Sequence, residues 1–279
     1  MRVRYSFSSR RTGNIDNIRK QKQKFPNLAK DVIRISDIIL EILDSRFIDE
    51  TRNIELEDMI KRQNKELVYV LNKSDLVDIE EKKKEIKEKK LYPFIFISCK
   101  DRKGGGILRD KIKMLVKDLD IGEKQRAQVG IIGYPNTGKS SIINLITGRG
   151  SARTASESGF TKGIQKIRLA EGILLLDTPG VIPEKEYSST KRAAIQKHTK
   201  IGVRTYDKVK DPEIIVNSLM QEYPHAIENF YGQNSNANVE ILLESLGRKM
   251  NFLKKGNEVD TDRTARLVLK DWQSGKIRV

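Results

Sequence analysis

Eight residues at the centre of the chain, Gly133-Tyr-Pro-Asn-Thr-Gly-Lys-Ser140, have the types and spacing needed to wrap a polyphosphate. The glycines let backbone N–H groups turn inward around a β-phosphate, and a helix starting there adds positive potential. Lys139 would reach the β- and γ-phosphates, and the Ser140 hydroxyl would ligate Mg2+. Thr137, Gly138 and Ser141 belong to the same nucleotide-binding stretch. Asp177-Thr-Pro-Gly180 follows another apolar run. Asp177 is expected to hold the Mg2+ through water, and the Gly180 N–H to meet the γ-phosphate. A third motif, Asn72-Lys-Ser-Asp75, chooses the base. A carboxylate at Asp75 accepts from guanine N1–H and the 2-amino group, but on adenine it meets mismatched groups, and such a buried mismatch discriminates steeply. Lys73 would lie across the ring and Asn72 would brace the phosphate loop. Ser98-Cys99-Lys100 would offer a backbone N–H to guanine O6. The three motifs together predict binding and hydrolysis of GTP.

These residues need strands that end where they begin. Apolar runs at 37–44, 67–71, 93–98, 128–132 and 173–177 each lead into a polar motif or a glycine. Strands apolar throughout and separated by helical stretches indicate a parallel sheet with helices on both faces, which binds ligands at the strands' C-terminal ends. A helix capped by Asn14 or Asp16 is expected to run to about Ser36. Residues 80–90 read as a solvated helix with Glu80/Lys84 and Glu85/Lys89 pairs. Beyond about Glu184 the patterns are helical, without a further strand of this kind. The expected organisation is a basic arm (1–15), an α/β nucleotide-binding domain (16–184) and a small helical C-terminal domain (185–279).

The 279 residues include 54 Lys and Arg against 38 Asp and Glu, a formal charge of +16. Lys/Glu-rich surfaces account for many charges but not for their imbalance, so contact with nucleic acid is favoured. The first 24 residues carry eight basic side chains and one acid, Asp16, a composition like a transit peptide. They run straight into a helical pattern, however, and a cytoplasmic location is expected. Cys99 is the one cysteine, which excludes an internal disulfide and a cysteine-based zinc site. No apolar run reaches the ~18 residues of a membrane span. His198 and His225 lack metal-ligand spacing and read as surface or core-edge residues. Trp272, near Leu267 and Leu269, reads as core or partner packing.

In ordinary small GTPases the phosphate loop comes first and the guanine motif last; here Asp75 precedes Lys139. The same sheet forms if the chain ends are cut elsewhere and the old ends joined, because packing depends on spatial neighbours. With this order the sequence resembles the circularly permuted GTPases of the ribosome biogenesis GTPase A (YlqF) type, from about Ile33 to Val181. The likeness includes Asp44-Ser-Arg46, the guanine motif, Ser98-Cys99-Lys100, the phosphate loop, Gly159-Phe-Thr-Lys162 and Asp177-Thr-Pro-Gly-Val181. A weaker likeness covers Leu246 to Ile277.

The resemblance implies a permuted P-loop fold followed by a helical domain, with GTP and GDP as ligands. It also implies a role in assembly of the large ribosomal subunit through contact with rRNA, with no membrane or DNA partner. Thr161 would complete the Mg2+ shell, so that Lys139, Thr161 and Gly180 form the catalytic set. Asn136 resembles the loop asparagine that helps bind K+ in cation-activated GTPases. The glutamine that orients water in small GTPases is missing, since Val181, Ile182 and Pro183 follow Gly180. The N-terminal histidine of related members is missing too, as His198 is the first in the chain. Two alternatives remain open at the level of sequence: a GTP-dependent switch on another RNA such as tRNA, and an RNA-binding protein whose GTP site turns over negligibly.

Overall fold

The computed structural model describes residues 27–119, 126–148, 164–183, 186 and 192–278. The first described helix (α1, residues 27–35) ends one residue before the expected stop. Its last carbonyls are met by the Lys65 ammonium, 2.6 Å from Arg34 O and 2.7 Å from Ser36 O. The expected start of this helix and the basic arm lie outside the described residues.

Next come β1 (Ile38–Asp44), the short α2 (Ile48–Thr51) and α3 (Ile54–Arg62), which Asn53 caps by accepting from the Leu56 N–H. They are followed by β2 (Glu66–Asn72), α4 (Ile79–Glu88), β3 (Phe94–Phe96), α5 (Gly105–Lys117), β4 (Ala127–Gly133) and α6 (Lys139–Thr147). A hairpin of β5 (Gln165–Ala170) and β6 (Ile173–Asp177) completes the sheet. Its order is β3-β2-β1-β4-β6-β5, parallel except for the antiparallel pairing of β5 to β6. All seven residues of β1 are buried, as a central strand covered on both faces requires.

Two details depart from the sequence reading. No strand was expected between the phosphate loop and residue 173, yet β5 occupies the open edge. Its Lys166 and Arg168 are exposed while Ile167 and Leu169 pack inward, a period-two pattern rather than an apolar run. On α4, Glu80 pairs with Lys83 at 2.7 Å instead of Lys84, whereas Glu85 does reach Lys89, at 3.5 Å.

The remaining chain forms α7 (Arg192–Lys200), α8 (Pro212–Glu222), α9 (Ala226–Tyr231), α10 (Val239–Lys249) and α11 (Thr261–Gln273) around their own apolar core. Phe47 and Tyr134, from loops after β1 and β4, enter that core too. Trp272 stacks on Phe47 at 6.1 Å between ring centroids, and its indole N–H donates to Lys200 O at 3.1 Å. Sheet and helical bundle therefore meet through side chains beside the strands' C-terminal ends. No helix among the described residues is long and apolar enough to cross a membrane.

A carboxylate sits at the middle of the central strand. Glu41 of β1 is fully buried beside Glu57; its Oε1 accepts from the Asn53 N–H at 2.9 Å, while Oε2 has no partner. Glu57 is satisfied by Arg52, at 2.8 and 2.7 Å, and by the Tyr69 hydroxyl at 3.0 Å. Burial, reinforced by Glu57, pushes the Glu41 carboxyl well above the usual range. A raised folded-state pKa contributes stability in acid and loses it as pH rises through that pKa. Glu41→Gln should therefore be more stable than the parent at pH 8, by on the order of 1–3 kcal/mol. That advantage should shrink toward pH 4. Denaturant titrations at both pH values check it, and an equal difference at the two would refute it.

Candidate nucleotide site

The phosphate loop is held by close approaches that only glycine permits. Gly133 has φ +145°, and a Cβ there would lie 2.5 Å from Ile42 O. Gly138, at φ +95°, would place a Cβ 2.2 Å from the Asn72 side-chain nitrogen. That nitrogen donates to Thr137 O at 2.8 Å, so Asn72 braces the loop as its motif suggested. The Thr137 hydroxyl closes the turn by donating to Tyr134 O at 2.9 Å. Gly138 caps α6, which begins at Lys139.

The Lys139 ammonium donates to Gly133 O at 3.0 Å and Tyr134 O at 2.6 Å. Burial brings its pKa down to about 8, opposed by the charge of Asp177. The Ser140 hydroxyl donates to Asp177 Oδ2 at 3.1 Å, and Asp177 Oδ1 is buried with no partner. Burial raises the Asp177 carboxyl. A hydroxyl and a carboxylate with an orphaned oxygen form the hard oxygen donor set that Mg2+ takes, so these residues fit the ion. Thr161 lies outside the described residues. Gly180 lies against the loop: a Cβ there would stand 2.5 Å from Pro135 N and Cα.

At the other end, Asp75 lies in a 3-10 turn that follows Lys73 in the left-handed region, φ 62°. The Ser98 hydroxyl donates to Asp75 Oδ1 at 2.7 Å and accepts from Asp101 N–H at 3.0 Å. Sequence reasoning gave this segment only a backbone role; the hydroxyl's hold on Asp75 went unseen. Lys100 approaches the other carboxylate oxygen at 4.0 Å. The Lys73 ammonium is bound to Asp44 Oδ2 at 2.7 Å, which leaves its aliphatic stem as the part that can cover a ring. Cys99 is half-buried, and burial pushes its thiol up to about 11, so it is no thiolate nucleophile at neutral pH.

A cleft of about 630 Å3 brings together Asn72, Lys73, Asp75, Cys99 and Lys100 with Asn136, Gly138 and Ser141. The rest of its lining comes from the helical bundle, including Thr205, Tyr206, Lys270 and Gln273, which the sequence reading did not assign to the site. Asn136, in the left-handed region, donates from Nδ2 to Gly202 O at 2.5 Å. A larger groove of about 960 Å3, lined by Ile214, Val239 and Ile241, holds none of the motif residues. The base-motif residues and part of the phosphate loop therefore share the smaller cleft, whose lining does not include Lys139, Ser140, Asp177 or Gly180.

After Gly180 the chain stays on the loop. Val181 is buried and its N–H donates to Gly133 O at 3.1 Å, while Ile182 packs against the helical core. Glu186 accepts from the Tyr134 hydroxyl at 3.1 Å and the Lys197 ammonium at 2.7 Å, and pairs with His198 at 2.9 Å. Burial works to raise its pKa, but His198 and Lys197 outweigh that and hold it at about 2. His198 is thus a core-edge residue, as expected, and His225 is an exposed helix cap paired with Glu228 at 3.1 Å.

Comparison with known proteins agrees with this geometry. Residues 128–242 match the family model described as 50S ribosome-binding GTPase. An uncharacterized GTP-binding protein of Methanocaldococcus jannaschii is 39% identical over 266 residues, spanning 93% of this chain and 68% of that protein. Nucleolar GTP-binding protein 2 of Neurospora crassa is 34% identical over 265 residues, 92% of this chain but 41% of its own length. The chain thus spans less than half of that fungal relative. GNP-bound YlqF from T. maritima superposes with a TM-score of 0.64 at 25% identity, covering 91% of this chain and 94% of that one.

If Asp75 reads the base, Asp75→Asn should weaken GTP binding by at least about a hundredfold and shift preference to xanthosine nucleotides, whose O2 accepts where guanine donates. Competition titrations with GTP, ATP and XTP test this; equal affinity of the parent protein for ATP and GTP would sink it.

Proposed function

The chain belongs to the circularly permuted GTPases of the YlqF type, and from that premise we propose that it is a Mg2+-dependent GTP-hydrolysing switch in assembly of the large ribosomal subunit, acting in the cytoplasm. The observation that carries the reading is the single bridge from Asn72 to Thr137, which ties the base-reading motif to the phosphate loop across one cleft. A ribosomal partner is supported by the net charge of +16 and by the ribosomal and nucleolar names of the similar proteins.

In this reading the nucleotide domain covers residues 16–184 and the helical domain, together with the basic arm 1–15, supplies rRNA contacts from 185–279. Lys139 exchanges its two loop carbonyls for β- and γ-phosphate oxygens, which also satisfies a buried ammonium better than carbonyls do. Ser140 and Asp177, with Thr161, would hold Mg2+, which neutralises charge developing on the phosphates. Gly180 offers its N–H to the γ-phosphate. Thr137, Gly138 and Ser141 line the polyphosphate, while Ser98, Cys99 and Lys100 frame the base beside Asp75. Asn136 has its nitrogen engaged with Gly202, so a K+ there would take Oδ1.

None of these residues orients the attacking water. Val181 stands where small GTPases carry glutamine, and it is apolar, buried and bonded to Gly133. Isolated protein should therefore turn over fewer than about one GTP per minute. It should accelerate with K+ over Na+ and further with large ribosomal subunits. Single-turnover assays with each cation, with and without subunits, measure this; rates indifferent to all of them would leave a GTP-tuned RNA-binding protein as the better reading. Sedimentation of a lysate with GDP or a non-hydrolysable analogue checks the partner, with co-migration on the large subunit in the analogue arm as the expected result and migration with tRNA-sized material as the contrary one.

A further inference from the structure

The guanine cleft has two walls, and only one belongs to the sheet. The other is built from the 3-10 turn at Tyr206–Lys208 with the preceding Thr205, and from the last turn of α11. This wall is fixed in place by polar bonds. Gln273 accepts from the Tyr206 N–H at 3.2 Å and donates to Thr199 O and Arg204 O, both at 2.8 Å. Gly275 packs so closely on Leu76, next to Asp75, that a Cβ would lie 2.5 Å from its methyl carbon.

Two polar groups on this wall lack a completed hydrogen bond or ion pair among the described residues. The Thr205 hydroxyl is shielded from solvent and completes no hydrogen bond, though it is near enough to Asp207 to help hold that carboxyl below its ordinary range. The Lys270 side chain is exposed to the cleft, and among the described residues no carboxylate pairs with its ammonium. The other two lysines of the cleft are engaged or approached by acids: Lys73 by Asp44, Lys100 by Asp75. Lys270 is thus the uncommitted lysine of a cleft that it lines together with the phosphate-loop residues Asn136, Gly138 and Ser141.

We infer that the helical bundle is part of the nucleotide site: Lys270 binds the phosphate nearest the ribose, and the exposed Asp207 carboxylate of the same lining receives the sugar hydroxyls. This rests on the nucleotide reading above and adds to it a specific ligand contact from the second half of the chain. An ammonium suits a phosphate, and an exposed carboxylate suits a diol. Because these parts are common to GDP and GTP, the wall senses occupancy of the site rather than the γ-phosphate. The bound nucleotide acts as a bridge between the halves, so its affinity depends on their being seated together.

The test is GDP and GTP affinity of the full chain carrying Lys270→Ala, Lys270→Glu or Lys270→Arg, with Lys210→Ala as an exposed control outside the cleft. Lys270→Ala should weaken GDP and GTP by the same factor, roughly tenfold, and flatten the dependence on salt. Lys270→Glu should weaken them further, and Lys270→Arg should stay near the parent. Unchanged GDP affinity in Lys270→Glu, with the parent binding normally, overturns the inference; so does a loss confined to GTP. A parent protein that binds neither nucleotide would instead overturn the reading of the site itself.

Discussion

A single buried carboxylate, Asp44, joins the parts of this molecule that have to work together. It ends β1, is almost entirely excluded from solvent, and receives Arg46 Nε at 3.0 Å, Arg46 Nη2 at 2.8 Å and Lys73 Nζ at 2.7 Å. An ionised carboxylate in that position is tolerable only because both oxygens are held by cations. Burial would raise its pKa, yet Lys73 and Arg46 hold it well below the usual carboxylate range. Each cation then has a second task. Lys73 belongs to the base-reading motif, and Arg46 donates from Nη1 to Trp272 O at 3.1 Å, in the helical half. Sheet, guanine motif and bundle therefore share one charge cluster, and removing its carboxylate would strand two cations in a dry seam.

Much of this was written in local sequence. The four inner strands are legible because they are covered on both faces, so hydrophobicity alone marks them, and the short edge strand β3 is apolar as well. The motif residues are legible because phosphate and guanine chemistry demand particular residue types at fixed offsets. The rest depends on partners far apart in the chain. β5 has one face open and so reads as alternating Lys-Ile-Arg-Leu, a weaker pattern than its neighbours. Ser98 gains its hold on Asp75 from 23 residues away, and Lys270 reaches the cleft only because α11 docks beside β2's loop. No spacing rule covers such encounters; they follow from how two hydrophobic cores meet.

The permuted order gives the seam its character. In the usual order the chain leaving the Asp-x-x-Gly motif returns to the sheet. Here the segment rests on the phosphate loop through Val181, then passes to the helical core through Ile182. Tyr134, inside the loop, is tied to Glu186, Lys197 and the same core. The phosphate loop is thus flanked by two contacts into the bundle, one through the segment after Gly180 and one through its own tyrosine.

The lone tryptophan is placed where these contacts converge. Trp272 is 1% exposed, stacked on Phe47 from the opposite half, tilted against Tyr223, and bonded through its indole N–H to a backbone carbonyl. Arg46 and Lys200 lie over the Phe47 ring beside it. An indole in so dry and charged a niche emits differently from one in water, and a parting of the two halves would expose it to solvent. With one tryptophan in 279 residues there is no second emitter to mask that change. The chain therefore carries an intrinsic optical gauge at the joint between its halves, readable without attaching a label.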